Sequence, residues 1–260
     1  MHIQVLSSGS EGNSALIRAG ETNLLVDAGL PLAEMEARIE AARIPLDSIG
    51  HVLVTHGHLD HARSAGGIAR KARGMLHCAE SIMKHPSARR ARHLSTIAIG
   101  RPFEIGGTNG DAVQVRSVVL PHDCDPTVAF RIEHRGRAAA ILTDIGRPSE
   151  EVARALEGCH VVVLEFNYDP EMMRNGPYPD ALKKRITGER GHLSNEQSAT
   201  MLAMLAGREL HTVVLAHLSS KNNTAELALS SATAALARLG RADVRVLVAS
   251  QHEVGENLAV

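Results

Sequence analysis

With 260 residues the chain has room for one large or two small domains, and 44% hydrophobic against 22% charged residues is a globular balance that argues against wholesale disorder. Lys+Arg at 28 and Asp+Glu at 29 leave a formal net charge of -1, so any affinity for nucleic acid or an anionic membrane must come from a local patch. Aromatics at 2%, with no Trp, argue against a platform of stacked rings and leave the core to Ala, Val, Leu and Ile.

In chain order, Ile3–Leu6, Ala15–Ile17 and Asn23–Asp27 read as strands, the first two separated by a Ser/Gly-rich loop. Ala33–Ala42 reads as a helix with Met35 and Ile39 inward and Glu34, Glu36, Arg38 and Glu40 mostly outward. His51–Thr55 is a strand and Ala62–Arg73 a helix ending before Gly74. Val113–Leu120, Val128–His134 and Ala138–Thr143 read as strands, Ser149–Leu156 as a helix and Val161–Glu165 as a buried strand. Asn195–Ala206 is a helix capped by Ser194 or Asn195. Thr212–Ala216 is a buried strand, Ala225–Leu239 a long helix and Val244–Val248 the last strand. The stretch from Tyr168 to Gly191, with Pro170, Pro177 and Pro179, reads as an elaborate surface loop holding one short helix. Interleaved strands and helices without a compositional break predict a single α/β domain over 1–260, its two halves alike in outline.

Cys78, Cys124 and Cys159 follow no disulfide spacing and fit a reducing cytoplasm. The N-terminal residues lack the basic start and apolar run of a secretion signal, and no segment approaches the ~20 apolar residues of a spanning helix. A cytoplasmic protein without a membrane partner is therefore expected; its protein partners are not legible.

The unusual count is 15 His. In Thr55-His56-Gly57-His58-Leu59-Asp60-His61, metal-capable side chains cluster on a loop between a VLVT strand and a helix. His56 and His58 alternate and point to one side of an extended backbone, whereas Asp60 and His61 are offset and can face a second position. One loop can thus serve two cations a few ångströms apart, the arrangement that polarises a phosphoryl or carbonyl oxygen and activates water. An internal, patterned cluster of this kind is unlike a terminal purification tag.

The pattern His-x-His-x-Asp-His after an apolar strand resembles that of the metallo-β-lactamase superfamily. The rest of its signature follows in order. Asp27, before Ala28-Gly29, resembles the aspartate that braces the histidine loop from outside the ligand set. His122 in Pro121-His122-Asp123, Asp144 in Leu142-Thr143-Asp144 and His217 after Val213-Val214-Leu215-Ala216 resemble the remaining ligands. The resemblance covers essentially the whole chain. It implies a four-layer αβ/βα sandwich, two mixed β-sheets flanked by helices, with a dinuclear site at one edge. It also implies a ligand split: His56, His58 and His122 on one metal, Asp60, His61 and His217 on the other, and Asp144 spanning both. A set rich in imidazole and free of thiolate suits two divalent ions, Zn²⁺ first, with Mn²⁺, Fe²⁺ or Ni²⁺ as alternatives. His2, His51, His77, His85, His93, His134, His160, His211 and His252 match no motif.

Within that superfamily three features point toward phosphodiesters. The loop from Ser7 to Ser14 offers backbone N–H groups and small donors, with Ser8, Ser10 and Asn13 as candidate contacts to an anionic oxygen. The stretch Gly191-His192-Leu193-Ser194-Asn195 resembles one of ribonuclease Z, in which the His works with a carboxylate as proton donor to the leaving oxygen. Glu165 falls where that family carries the partnering carboxylate. No Gly/Pro-rich arm for gripping tRNA is present, which argues against tRNA 3′ processing.

The combination of Ser7–Ser14, Leu164-Glu165-Phe166-Asn167-Tyr168-Asp169, 191–195 and His217-Leu218-Ser219-Ser220-Lys221-Asn222-Asn223 resembles the YycJ/WalJ group of bacterial proteins, end to end. That likeness implies 5′-to-3′ exonuclease action on DNA, with nucleic acid as substrate. Asp60 would also orient water, His192 tuned by Glu165 would protonate the leaving oxygen, and Ser219, Asn222 and Asn223 would join the contacts to phosphate. Basic clusters at Arg70–Arg73, Lys84–Arg92 and Lys183–Arg185 suit a polyanion or are solvated helix faces. Tyr168 and Tyr178 are candidates for stacking on a base or for packing. The alternatives are a small-molecule hydrolase (cyclic phosphodiester, lactone or thioester) and a non-catalytic metal-binding accessory protein.

Overall fold

A computed structural model describes residues 1–106 and 111–260. The strands form two mixed sheets of seven. The first contains β1 (His2–Ser7), β2 (Ser14–Ala19), β3 (Thr22–Val26), β4 (Ile49–Leu53), β5 (Met75–Cys78), β6 (His93–Thr96) and β14 (Leu258–Ala259). Their order is β14-β1-β2-β3-β4-β5-β6. The β1, β2, β3 meander is antiparallel, and from β3 to β6 neighbours are parallel. The second contains β7 (Pro102–Ile105), β8 (Val113–Leu120), β9 (Thr127–His134), β10 (Arg137–Leu142), β11 (Val161–Glu165), β12 (Thr212–Ala216) and β13 (Arg245–Val248). Its order is β13-β12-β11-β10-β9-β8-β7, parallel from β10 to β13.

Parallel neighbours need crossovers, and helices supply them. In the first sheet these are α1 (Leu32–Ala41), α2 (Leu59–Ala62), α3 (Ala65–Ala72) and α4 (Glu80–Met83). In the second they are α5 (Glu150–Ala155), α6 (Pro170–Asn175), α7 (Asp180–Ile186), α8 (Asn195–Leu205) and α9 (Ala225–Arg238). The chain divides into two compact units. One comprises Met1–Ser117, Ile132–Arg137 and Ser250–Val260; the other comprises Val118–Arg131 and Ala138–Ala249. In the first unit Met35 and Ile39 of α1 and Ile68 and Ala69 of α3 join a core with Leu25, Val52 and Leu76. In the second, Val152 of α5, Met201 and Leu202 of α8 and Ala232 and Leu236 of α9 cover Leu142, Val162, Leu164, Val213 and Leu215. Both cores are predominantly aliphatic, as the composition requires, with Phe166 a buried ring in the second. Every residue of β11 and β12 is buried, which explains their unbroken apolar runs.

Some predicted elements differ in detail. The helix expected over Ala62–Arg73 is two helices, because Ser64 is drawn out of line. Its backbone N–H donates to Ala28 O at 2.8 Å and its hydroxyl to Leu30 O at 2.7 Å. The irregular stretch after Tyr168 holds two short helices, the first capped by Asp169 with Pro170 in its first turn. Ser194, not Asn195, caps α8. Its Oγ accepts from Gln197 N–H, and the Gln197 side chain accepts from Ser194 N–H at 3.0 Å, a reciprocal capping box. The short strands β5, β6 and β7 and the terminal β14 were not anticipated.

Candidate active site

The candidate residues sit where parallel strands end. In open α/β sheets, sites form beyond the carboxyl ends of the strands. Asp27 follows β3 and the His56–His61 loop follows β4. Asp144 lies beyond β10, Glu165 ends β11 and His217 follows β12. Three of them, Asp27, Asp144 and His217, adopt left-handed backbone angles, with φ of 63°, 61° and 56°. Non-glycine residues seldom occupy this region, and where they do the surrounding contacts must hold them there.

In the first unit the histidine loop is braced by Asp27. Its Oδ1 accepts from Thr55 N–H at 2.8 Å, and its Oδ2 accepts from Thr55 Oγ1 at 2.9 Å and His61 Nδ1 at 2.7 Å. A carboxylate at Nδ1 fixes the proton there and puts the lone pair of His61 on Nε2. The His56 ring lies 4.7 Å from that of His58 and 4.3 Å from that of His61, centroid to centroid. Asp60 Oδ2 is 3.5 Å from His61 Nε2. The predicted ligands of this loop thus converge. Backbone stitching holds them: Asn13 N–H donates to Asp60 O, Ala28 N–H to His61 O, and Gly29 N–H to Asn13 O. Gly29 must be glycine, since a Cβ there would lie 1.7 Å from Asp60 O.

Asn13 belongs to this brace. Its Oδ1 accepts from Ser8 Oγ and Gly9 N–H, so its Nδ2 is the atom 3.1 Å from His61 Nε2. Ser8 is buried as well, and Ser10 alone of that loop's three candidate contacts is exposed. Gln251 closes the loop from the far end of the chain, donating from Nε2 to Ser7 Oγ at 2.7 Å and Gly12 O at 2.9 Å.

In the second unit Glu165 is the hub. It is wholly buried. Its Oε1 accepts from Leu193 N–H at 2.7 Å. Its Oε2 accepts from Asp144 N–H at 2.8 Å, His192 Nδ1 at 3.1 Å and His217 Nδ1 at 3.2 Å. Ligand-type atoms of Asp144, Glu165, His192 and His217 all lie within 4.8 Å of one another. Burial alone would raise the Glu165 carboxyl pKa. The two imidazoles outweigh it and hold the group low, at about 2. Burial likewise pulls His192 down, but Glu165 and then Asp144 more than restore it, so its pKa is raised.

His122 is fixed differently. Its Nδ1 is 3.0 Å from Gly191 O, and a carbonyl only accepts, so the proton is on Nδ1 and the lone pair on Nε2. Its Nε2 lies 3.7 Å from Asp144 Oδ1, and its ring 5.2 Å from that of His192. Burial lowers its pKa, which keeps it in the neutral form that ligates. Arg190 Nε donates to His122 O at 2.7 Å, and Arg185 Nε to Asp123 Oδ2 at 2.6 Å. Helix α7 and the segment after it are therefore tied to the His122 loop.

Ser219, Asn222 and Asn223 correct the expectation of phosphate contact, because all three turn into the protein. Ser219 Oγ accepts from Asn222 N–H at 3.2 Å. Asn222 is fully buried against Gly176, where a Cβ would lie 2.1 Å from its Oδ1. Asn223 exchanges carboxamide bonds with Asn195 at 2.9 Å and donates to Phe166 O at 2.8 Å. Tyr168 is buried, so of its two suggested roles packing is the one the structure places. Asn167 was missed; its Nδ2 donates to His217 O at 2.8 Å and helps hold the left-handed turn. Its place in the Leu164–Asp169 stretch marks it in the sequence without giving it a role.

Each unit thus presents imidazoles whose Nδ1 is engaged by the protein, interspersed with carboxylates and without thiolate, a donor set that fits a borderline divalent cation.

Comparison with known proteins identifies the family. A family model described as "Beta-lactamase superfamily domain" matches residues 22–218. The chain belongs to the metallo-β-lactamase superfamily and is a metal-dependent hydrolase. The structure of the fold protein YhfI from Bacillus subtilis superposes with a TM-score of 0.75 at 15% identity, covering 99% of this chain and 98% of that one. The chain is 34% identical over 245 residues to the protein named exodeoxyribonuclease YycJ of Bacillus anthracis, covering 92% of this chain and 90% of that one. It is 32% identical over 228 residues to exodeoxyribonuclease WalJ of Streptococcus pneumoniae, covering 86% and 84% respectively. Within the superfamily the chain is YycJ/WalJ-like.

Proposed function

We propose that this hydrolase is a dinuclear phosphodiesterase that degrades DNA from a 5′ end. The observation that carries the reading is Glu165, one buried carboxylate that engages both His217 and His192. The relatives named exodeoxyribonuclease support DNA as the substrate. His56, His58 and His122 would hold one cation, Asp60, His61 and His217 the other, and Asp144 both. Zn²⁺ suits that donor set best. Such cations supply Lewis acidity toward phosphoryl oxygens and acidify water.

The chain's own residues do the rest. Asp27 and Gly191 O hold His61 and His122 in the tautomer that presents Nε2. Glu165 holds His192 oriented and charged through Nδ1, so that the Nε2 proton is the one given to the leaving oxygen. The His192 side chain retains 20% exposure beside the buried Glu165, which allows a substrate to reach it. Asp60 orients the attacking water. Ser10 is the contact to phosphate that the buried Ser8 and Asn13 position. No helix among the described residues is long and apolar enough to cross a membrane, and the free cysteines suit the cytoplasm.

The test is to strip the protein with chelator, restore one metal at a time, and supply a 5′-labelled duplex beside RNA, a cyclic nucleotide and a lactone. Release of labelled mononucleotide, with about two metals bound per chain, is the expected result. Hydrolysis confined to the small esters would overturn the nuclease reading.

A further inference from the structure

Leu59 lies between two predicted metal ligands, His58 and Asp60, and is 56% exposed. Among the described residues no large hydrophobic side chain is more open to solvent. Its place is not slack. It opens α2, its carbonyl accepts from Arg63 N–H at 3.1 Å, and the next carbonyl, that of Asp60, is held by Asn13 N–H at 2.8 Å. The loop therefore fixes an apolar side chain in water at the edge of its ligand cluster, where burial would have been favourable.

Cationic side chains stand on the same stretch of chain and on the segment packed against α3. Arg63, one turn along, is exposed. The 87–91 segment abuts the start of α3, since a Cβ on Gly66 would lie 2.1 Å from Ser87 O, and it carries the exposed Arg89 and Arg90. An exposed apolar side chain with an exposed guanidinium one helical turn along suits a polyanion that also presents a flat apolar face. A nucleotide has both. The chain has few rings to offer such a face: it lacks Trp, Tyr168 is buried and Tyr178 is half-buried.

We propose that Leu59 is an apolar wedge that packs against the face of the base nearest the scissile phosphodiester and unstacks it from its neighbour, a role aliphatic side chains play where proteins kink DNA. This rests on the nuclease reading. It adds that substrate choice includes a sequence-blind test for a base, made by a side chain outside the ligand set.

The experiment compares wild type, Leu59→Ala and Leu59→Phe on two labelled oligonucleotides. They differ only in whether the nucleotide at the cleaved end carries a base or is abasic. Metal content per chain is measured alongside. Wild type should favour the base-bearing end. Leu59→Ala should narrow that preference about fivefold, chiefly through KM, at unchanged metal content. Leu59→Phe should restore or widen it. A preference that Leu59→Ala leaves intact, equal use of both ends by wild type, or loss of metal from Leu59→Ala would overturn the wedge while leaving the nuclease reading standing. Failure of wild type to cut either oligonucleotide would overturn that reading and the wedge with it.

Discussion

Glu165 Oε2 lies 3.2 Å from Nδ1 of His217, so the carboxylate that orients the proposed proton donor also orients a predicted metal ligand. Glu165→Gln leaves an acceptor but sets an amide N–H against an imidazole N–H. We expect it to lower both metal retention and turnover, with about 1–3 kcal/mol of lost stability from the mismatched buried donors. Equilibrium dialysis against Zn²⁺ and urea unfolding check this. A variant that binds metal as wild type does would show that the hub does not act through His217.

His192→Ala separates the two roles. Its Nδ1 is held by Glu165, and in the proposed function it delivers a proton and holds no metal. Metal content should stay at the wild-type level while turnover on DNA falls about 10²–10⁴-fold, the usual range for a lost general acid. A phosphodiester with a nitrophenolate leaving group needs little protonation and should lose far less. Equal losses on both substrates would assign His192 to positioning.

Asp27 is the corresponding test in the first unit. Asp27→Asn keeps the acceptor for Thr55 N–H but places an amide donor against His61 Nδ1, where the carboxylate now accepts at 2.7 Å. The His61 Nδ1 proton then loses its acceptor while Asn13 Nδ2 still faces Nε2, so the tautomer that presents Nε2 for ligation is no longer held. The expectation is a loss of about 10–100-fold in metal affinity in a protein that still folds cooperatively. Competition with a chromophoric chelator measures the first, and circular dichroism on heating the second.

These residues differ in how far the sequence announces them. His56, His58, Asp60 and His61 are legible because they are adjacent, and their pattern survives any fold around it. His122, Asp144 and His217 are legible only through order and their position after apolar strands. The left-handed turns at Asp144 and His217 are silent, because neither position carries the glycine that usually marks such a turn. Asn13 reads as a surface donor from its Ser/Gly-rich loop, and Asn222 and Asn223 as phosphate contacts from their place just after His217. What buries them is non-local: Asn13 meets a loop 48 residues away, and Asn223 meets Asn195 across 28. The strands β5 and β6 escaped because each is four residues long, and β6 lies at a sheet edge without a buried residue to set a period.

His77 carries a pH dependence unrelated to the metal ligands. It is buried on β5, its Nε2 is 3.0 Å from His51 Nδ1, and Phe103 stacks on it at 5.8 Å. Burial first, and the neighbouring His51 second, pull its pKa from 6.5 down to about 4. The unfolded chain therefore binds a proton at this site between those values that the folded chain refuses. Stability contributed by neutral His77 is complete above pH 6.5 and is lost as pH falls toward 4, a loss of about 3 kcal/mol at the lower limit. Unfolding of the chelator-stripped protein by urea at intervals across that window should show the midpoint falling with acid, and His77→Gln should flatten the slope. A wild-type midpoint that stays level from pH 6.5 to 4 would mean that the pair accepts its proton without opening the fold.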